Sequence, residues 1–477
     1  MYKFKKINYL AVAMLCLVYI SCKIPSAIQT PVLKNAPAKF LNSIDSTNSS
    51  DISWGAFYND KNLVSLIDIA VKNNPDVLIA LQDIEIAQNK VRMRKGELLP
   101  SVTAGGGLGV EKVGRYTSQG AGDASAEIIP GKIVPEHLAD FNFGIRTSWE
   151  ADVWGKLRSA KKAAFAKYLK SIEGKNFVLT NLVAEVANSY YELLSLDNQL
   201  DIIRNSIELQ KKQLAIVVVQ KQAAVATELA VKQFEAQVLN SQSQEYDILQ
   251  NITEVENKIN FLLGRYPQTI VRDKSSFANE ISSQVKEGIP SQLLRNRPDI
   301  KSAEQELQAA KWDVKVARLA FYPSLGISAK LGAQAFKASF IYQMPESLLY
   351  TLAADLAAPI INRNAIIAEF KTANALQIQA MYDYQKTIIN GYVEVSNELS
   401  NINNLEKMYE FKSKEVDVRT NAIDISNDLY KAARANYLEV LTIQRDALES
   451  KLQLVEIKKQ QFATVIDVYK ALGGGWR

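Results

Sequence analysis

The sequence predicts a mixed α and β membrane protein, internally duplicated, in which long helical hairpins alternate with strands of membrane-crossing length. Three observations carry that expectation. Ile388, Val395, Ile402, Tyr409, Val416, Ile423 and Tyr430 recur every seventh residue, and Leu441, Leu448, Val455, Phe462 and Tyr469 do the same; strict seven-residue spacing is the seam of a supercoiled helix. Apolar and polar residues alternate without a slip from Phe141 to Val153. Asn74-Pro75-Asp76 and Leu99-Pro100-Ser101 return as Arg297-Pro298-Asp299 and Tyr322-Pro323-Ser324, each 223 residues later, which reads as a repeat of one structural unit.

The chain of 477 residues is 47% hydrophobic and 22% charged, a globular composition with room for more than one core. Its start is different. Lys3, Lys5 and Lys6 precede an apolar run from Tyr9 to Ile20 that ends at Ser21-Cys22. A basic start with a run well short of the ~20 residues of a spanning helix is a secretory signal, here residues 1–21. Tyr19-Ile20-Ser21-Cys22 resembles a bacterial lipobox, so cleavage before Cys22 would leave an acylated cysteine at the N-terminus. Cys16 leaves with the signal, and no disulfide within one mature chain is expected. Losing the three lysines of the signal takes the formal charge from +5 to +2, which gives no support for nucleic acid binding.

Residues 22–53, rich in Ser, Asn, Ala and Pro, read as an extended lipid-anchored tether, with ordered structure expected from Trp54. The first repeat then occupies 54–285. Leu63, Leu66, Ile67 and Ala70 mark a helix stopped at Asn73-Asn74-Pro75, and a second helix runs from Asp76 toward Leu98. A Gly-rich strand candidate covers 101–113, a loop reaches about residue 137, and the clearest strand follows. Phe141, Phe143, Ile145, Thr147, Trp149, Ala151 and Val153 fall on one face of it, and Asn142, Gly144, Arg146, Ser148, Glu150 and Asp152 on the other. A half-buried strand of a soluble sheet alternates in the same way; the length favours a tilted membrane strand of ~9–11 residues over the usual ~5–6.

From Gly155 to about Val219, Leu179, Val186, Leu193, Leu200, Ile207 and Leu214 form a heptad seam that Ser189 and Gln210 interrupt. The helix it predicts is on the order of 95 Å long. Ala223 to Thr227 turns the chain, and a return helix runs from Glu228 until Gly264 and Pro267 stop it. The second repeat, 286–477, offers strands at 324–334 and 348–358 and a second hairpin with its tip at Asn436-Tyr437. Closed membrane barrels start at about eight strands. Four strands per chain therefore require a homo-oligomer if they span a membrane, because an open edge in lipid leaves backbone groups unsatisfied.

The chemistry of catalysis is missing from the pattern. His137, the only histidine, falls in a polar loop with no metal-binding partner at ligand spacing. Gly105-Gly106-Gly107 and Gly473-Gly474-Gly475 lack the flanking residues of a phosphate loop. No nucleophile has a candidate base, so the expectation is neither an enzyme nor a protein with a cofactor or metal centre.

Four stretches together identify a family. Ser148-Trp149-Glu150-Ala151-Asp152-Val153-Trp154-Gly155-Lys156-Leu157-Arg158, Gly288-Ile289-Pro290-Ser291 through Arg297-Pro298-Asp299-Ile300, Tyr437-Leu438-Glu439-Val440-Leu441 with Gln444-Arg445, and Tyr469-Lys470-Ala471-Leu472-Gly473-Gly474-Gly475-Trp476 resemble the TolC-like outer-membrane efflux factors, in the lipoprotein branch paired with resistance-nodulation-division pumps. The resemblance covers almost all of the mature chain. It implies a homotrimer with a twelve-stranded β-barrel in the outer membrane, continued by an α-helical coiled-coil tunnel in the periplasm. It also implies a passive exit duct, with a periplasmic adaptor and an inner-membrane resistance-nodulation-division transporter as partners. Outer membrane lipid would then meet Phe141, Phe143, Ile145 and Trp149. Carried over by motif, the periplasmic gate falls on Leu438, Thr442 and Arg445, which are four and three residues apart and so share a helix face. The family commonly has Asp where this chain has Thr442, so Arg445 is expected to take another carboxylate, Glu439 or Asp446. Two other readings stay open: Arg445 as a solvated helix residue, and a gate at the first tip, Val225 to Leu229. The alternative function is a periplasmic adaptor or coiled-coil scaffold lipoprotein, which normally has one hairpin where two are predicted here.

Overall fold

The structure is a computed structural model that describes residues 37, 40, 48–278, 286, 288–359, 363–432 and 434–477; the expected signal, the lipobox and Cys22 lie outside them. Asp60 caps the first long helix, α1 (Lys61–Asn73), by accepting from the backbone N–H of Asn62 at 2.8 Å. Leu63, Leu66, Ile67 and Ala70 are its buried residues, the face their spacing predicts. Pro75 opens α2 (Pro75–Gly96), where a missing N–H costs nothing. Asn74 holds the junction: its Oδ1 accepts from Asp76 N at 2.8 Å and its Nδ2 donates to the Leu262 carbonyl at 2.9 Å.

Strand β1 (Ser101–Glu111) follows, then a short helix α3 (Ser118–Asp123), the small hairpin β2 (Glu127–Ile129) and β3 (Lys132–Ile133), and the long strand β4 (Leu138–Ala151). The helix and hairpin correct the expectation of a plain loop up to 137; elements of two to six residues are too short to show a period. The first helical hairpin is α4 (Lys156–Gln222) and α5 (Glu228–Leu262). Then come α6 (Pro298–Leu319), β5 (Ser324–Ala335), β6 (Leu348–Ala357), and a second hairpin of α7 (Asn364–Lys431) and α8 (Tyr437–Ala471). Corresponding elements match closely in length. α2 and α6 both have 22 residues, α5 and α8 both have 35, and α4 and α7 have 67 and 68.

The chain forms two compact units, each drawing on both halves of the sequence. One contains Ile86–Tyr168 and Glu306–Ala380. Its strands make one antiparallel sheet in the order β1-β4-β5-β6, and where α6 meets α7, Val314, Ala317, Phe321 and Phe370 form a small core. The other contains Val32–Glu85, Leu169–Gln305 and Met381–Arg477. Its main core joins Leu179, Val186, Leu193, Leu200 and Ile207 of α4 to Ile252, Val255 and Ile259 of α5, with α1 packed against it. Ser189 and Gln210, which interrupt the seam, are buried within it. The segment after α5 is tied back by Arg272, whose Nε donates to Asp197 at 2.6 Å and whose Nη1 bonds Glu256.

Ordered structure begins before Trp54, a correction to the tether's expected extent. Residues Ser49–Asp51 form a single 3-10 turn with Ser49 and Ser50 buried, and Phe40 is 2% exposed, packed with Val395, Val468 and Leu472 and stacked on Tyr392. A lone aromatic in a Pro- and Ser-rich stretch has no period to reveal it; its partners come from distant sequence.

Two of the recognised motifs prove structural. Arg297, buried beside the first turn of α6, donates to Asp299 at 2.7 Å, to Glu394 at 2.6 Å and to the Ala471 carbonyl at 3.0 Å. It thereby joins α6, α7 and the end of α8. Gly473 sits at φ +92 against the Asn296 backbone, and a side chain on Gly474 would strike the Tyr469 ring, so this turn accepts only glycine. Trp476 closes it by donating to the Asn296 carbonyl at 3.1 Å.

Candidate functional site

The sheet has two chemically opposite faces, and the register shows that the separation runs across all four strands. On one face the paired rows read Val102–Thr147–Ala329–Leu352, Ala104–Ile145–Leu331–Tyr350 and Gly106–Phe143–Ala333–Leu348. On the other they read Ser101–Ser148–Ser328–Ala353 and Thr103–Arg146–Lys330–Thr351. Because side chains alternate along a strand, a one-residue slip in any pairing would have mixed these rows. The apolar face is not covered: Phe143 is 63% exposed and Leu352 78%, far more than a soluble sheet leaves open. Of the four residues expected there, Phe143 and Ile145 are exposed, while Phe141 and Trp149 are half-buried. Trp149 is near the strand end, where its indole N–H donates to the Leu98 carbonyl at 3.1 Å. β1 and β6 are the two edges of the sheet. No helix among the described residues is long and apolar enough to cross a membrane.

At the other candidate site, the two hairpin tips lie side by side. Val217, Ala230, Phe234 and Val440 are buried together, and the Tyr430 hydroxyl donates to Gln220 Oε1 at 2.8 Å. The first tip turns at Ala224, which has φ 59; Thr227 caps α5 by accepting from Ala230 N, and Lys221 pairs with Glu228. Val225 and Leu229 are exposed there. The second tip is capped reciprocally: Asn436 Oδ1 accepts from Glu439 N at 3.0 Å, and its Nδ2 donates to Glu439 Oε1 at 3.1 Å.

Leu438, Thr442 and Arg445 are all exposed along one stripe of α8. Glu439 is occupied by the cap, so the carboxylate beside Arg445 is Asp446, 3.2 Å from its Nη2. Asp446 is shared. Arg419 of α7 donates to it at 3.2 Å and to Glu415 at 2.7 Å, and Lys412 donates to Glu415 at 2.6 Å. Those two cations hold the Glu415 carboxyl down to about 2. The chain of charges clamps α7 to α8 just below the tip. Glu415 and Arg419 stand four apart on one helix, a spacing readable from sequence that the seven-residue seam overshadowed.

Next to the clamp, α4, α7 and α8 line a cavity of about 350 Å³. Gln210, Thr420, Asn427 and Gln444 line it, and each has a buried oxygen with no protein partner. A cavity this polar has room for water, so the hairpins meet here through polar side chains rather than through a continuous apolar seam. Among the described residues no group of three or more His, Cys, Asp or Glu side chains is placed to hold a metal ion, and His137 is exposed.

Comparison with known proteins agrees with this architecture. The model of the outer membrane efflux protein family matches residues 66–265 and 289–474. The pyoverdine export outer membrane protein OpmQ of Pseudomonas aeruginosa is 29% identical over 432 residues, covering 90% of this chain and 89% of its own. The probable outer membrane lipoprotein SilC of Salmonella typhimurium is 24% identical over 453 residues, covering 95% and 93%. The crystal structure of the open state of the Neisseria gonorrhoeae MtrE outer membrane channel superposes with a TM-score of 0.81 at 21% identity, covering 95% of this chain and 98% of that one. The chain belongs to the outer membrane efflux protein family, and its place of work is the cell outer membrane.

Proposed function

We propose that three copies of this chain close a twelve-stranded barrel in the outer membrane, and that the two hairpins of each copy together form a periplasmic tunnel. The duct is passive. Solutes reach it from an inner-membrane resistance-nodulation-division transporter through a periplasmic adaptor, and the two halves of the chain descend from one duplicated unit. The observation that carries this reading is the sheet: one face apolar but for Thr147, one largely polar face and two unpaired edges. A single chain leaves those edges open, which hydrocarbon does not tolerate, whereas closure of β1 of one copy on β6 of the next removes every edge. The apolar face with Phe143 and Ile145 then meets lipid, and the row of Thr103, Arg146 and Lys330 lines the lumen. Leu438, Thr442 and Arg445 of three copies meet around the tunnel axis and form the gate.

Two experiments test the reading. Protein extracted from outer membranes should run as a heat-modifiable trimer and open steps of conductance in planar bilayers; a monomer without conductance would instead favour the adaptor or scaffold reading. Cys22 is the anchoring residue, on the sequence pattern Tyr19 to Cys22. Labelled fatty acid should enter the wild type and not Cys22→Ala, and labelling of that variant would overturn the anchor.

A further inference from the structure

Charge is concentrated where helices meet the sheet. Residues 86–97, 154–168 and 308–322 lead into β1, out of β4 and into β5, and together they carry twelve Lys and Arg against only Glu97 and Asp313. That is a net of +10 in a chain whose formal total is +5. The register places these junctions at one end of the sheet, since Ser101 pairs with Ser148 and Ala151 with Leu325. Between Trp154 and Tyr168 there is no acidic residue at all. Arg158, Lys161, Lys162 and Phe165 have the i, i+3, i+4, i+7 spacing of one helix face, and Phe165 is 49% exposed among them. Arg92, Lys95, Lys161 and Arg318 have no carboxylate partner among the described residues, whereas Lys156 and Arg158 pair with Glu150 and Asp152 at the end of β4 and Lys167 pairs with Asp313. Arg158 nonetheless keeps 63% of its side chain exposed, and Lys162 lies over the Trp312 ring.

Apolar and aromatic groups mark the same level. Leu99 is 64% exposed and Trp154 49%. The Trp154 N–H donates to the Pro323 carbonyl at 2.7 Å, and its ring lies 5.1 Å from that of Tyr322. Aromatic rings with one tied polar edge belong at the boundary between hydrocarbon and headgroups. At ~1.5 Å per residue, Arg158, Lys161 and Lys162 lie within about 10 Å of the start of α4. That reach spans a headgroup layer of roughly 5–8 Å and matches the screening length in physiological salt, ~8 Å. Long basic side chains also extend toward a phosphate plane while their stems stay against apolar surface.

We propose that this collar binds the phosphodiester headgroups of anionic phospholipids in the periplasmic leaflet, with Arg158, Lys161 and Lys162 as its principal contacts. The proposal rests on the barrel reading above, because that reading puts the sheet's helical end at the periplasmic boundary. Charge attraction to an anionic surface is worth about a fivefold change in affinity for each basic residue near it.

The test uses purified full-length trimer and reads the temperature at which the trimer dissociates, with added phosphatidylglycerol, phosphatidylethanolamine or inorganic phosphate. Phosphatidylglycerol alone should raise it, and the combined variant R158Q/K161Q/K162Q should bind phosphatidylglycerol at least tenfold more weakly. Lys211→Gln with Lys212→Gln, far along the same helix, should respond as the wild type does. If the combined variant fails to assemble, Lys161→Gln alone should still show a severalfold loss. Equal stabilisation by phosphatidylethanolamine, reproduction of the effect by inorganic phosphate, or an unchanged response of both collar variants would overturn the proposal. A wild type that forms no trimer would instead contradict the barrel reading.

Discussion

The long helices α4 and α7 occupy equivalent places in the two halves and differ by one residue in length, yet their seven-residue seams are buried to different degrees. In α4 every seam residue from Leu179 to Ile207 is buried. In α7 the corresponding seam buries Val395 fully, while Ile388, Ile402, Tyr409, Val416 and Ile423 are only partly covered. A second row on α7, again spaced by seven, leaves Phe411 68%, Val418 68% and Ile425 62% exposed. An exposed heptad row on a helix of this length suits contact with another helix. Toward the first tip α4 exposes Leu209, Ile216 and Val219 as well; on the trimer proposed above, the middle of α4 serves the core of one copy and the exposed row of α7 serves the contact between copies.

The same substitution on the two helices should break them differently. Leu193→Asp places an unpaired charge in a sealed core, which costs several kcal/mol, and folded protein should be lost altogether from outer-membrane fractions. Val418→Asp should leave helix content by circular dichroism nearly unchanged and remove the trimer band. If both variants lost only the trimer, the assignment of α4 to the protomer core would be wrong.

A second pair sharpens the contrast on the sheet. Ile145→Arg puts a charge on the apolar face at a cost of ~2–4 kcal/mol near the bilayer midplane, so assembly should fall sharply. Ser148→Arg, in the row of serines on the opposite face, should assemble almost normally. Equal assembly of the two would reverse or abolish the assigned facing.

The smallest effect is expected at the tip, where gating changes and folding does not. Arg445→Ala and Leu438→Ala should each raise single-channel conductance without lowering trimer yield. Unchanged conductance in both would move the gate to Val225 through Leu229. Acid should act in the same direction through the clamp. The folded carboxyl of Glu415 sits at about 2, below the ~4.3 of a free glutamate. Its contribution is thus full above that value and disappears as pH falls toward 2. Conductance that stays flat on acidification through this window would remove Glu415 from the mechanism.

What the sequence disclosed depended on period. The helices, both tips and the strand from Phe141 onward were legible because their spacings persist for many residues, and the 223-residue recurrence located α6 and β5 from α2 and β1. Pieces without a period were not legible: Phe40 and the turn at Ser49, the hairpin β2–β3, and the polar cavity around Gln210 and Gln444, whose members come from three helices. Asp446 was one of two carboxylates that spacing allowed Arg445. Only the structure, by committing Glu439 to the cap of α8, separates them. The departure at Thr442 is met locally, since Asp446 supplies Arg445 with a carboxylate from the adjacent position and shares it with Arg419.

The central claim is that the sheet stands between lipid and water, and spin labels report this most directly. Single cysteines carrying a label at positions 142, 143, 145, 146 and 148 of the assembled protein can be compared for collision with oxygen, which prefers lipid, and with a nickel chelate, which prefers water. The account predicts strict alternation: oxygen access high at Phe143 and Ile145, and nickel access high at Asn142, Arg146 and Ser148. Uniform access along the strand, or the opposite phase, would contradict it.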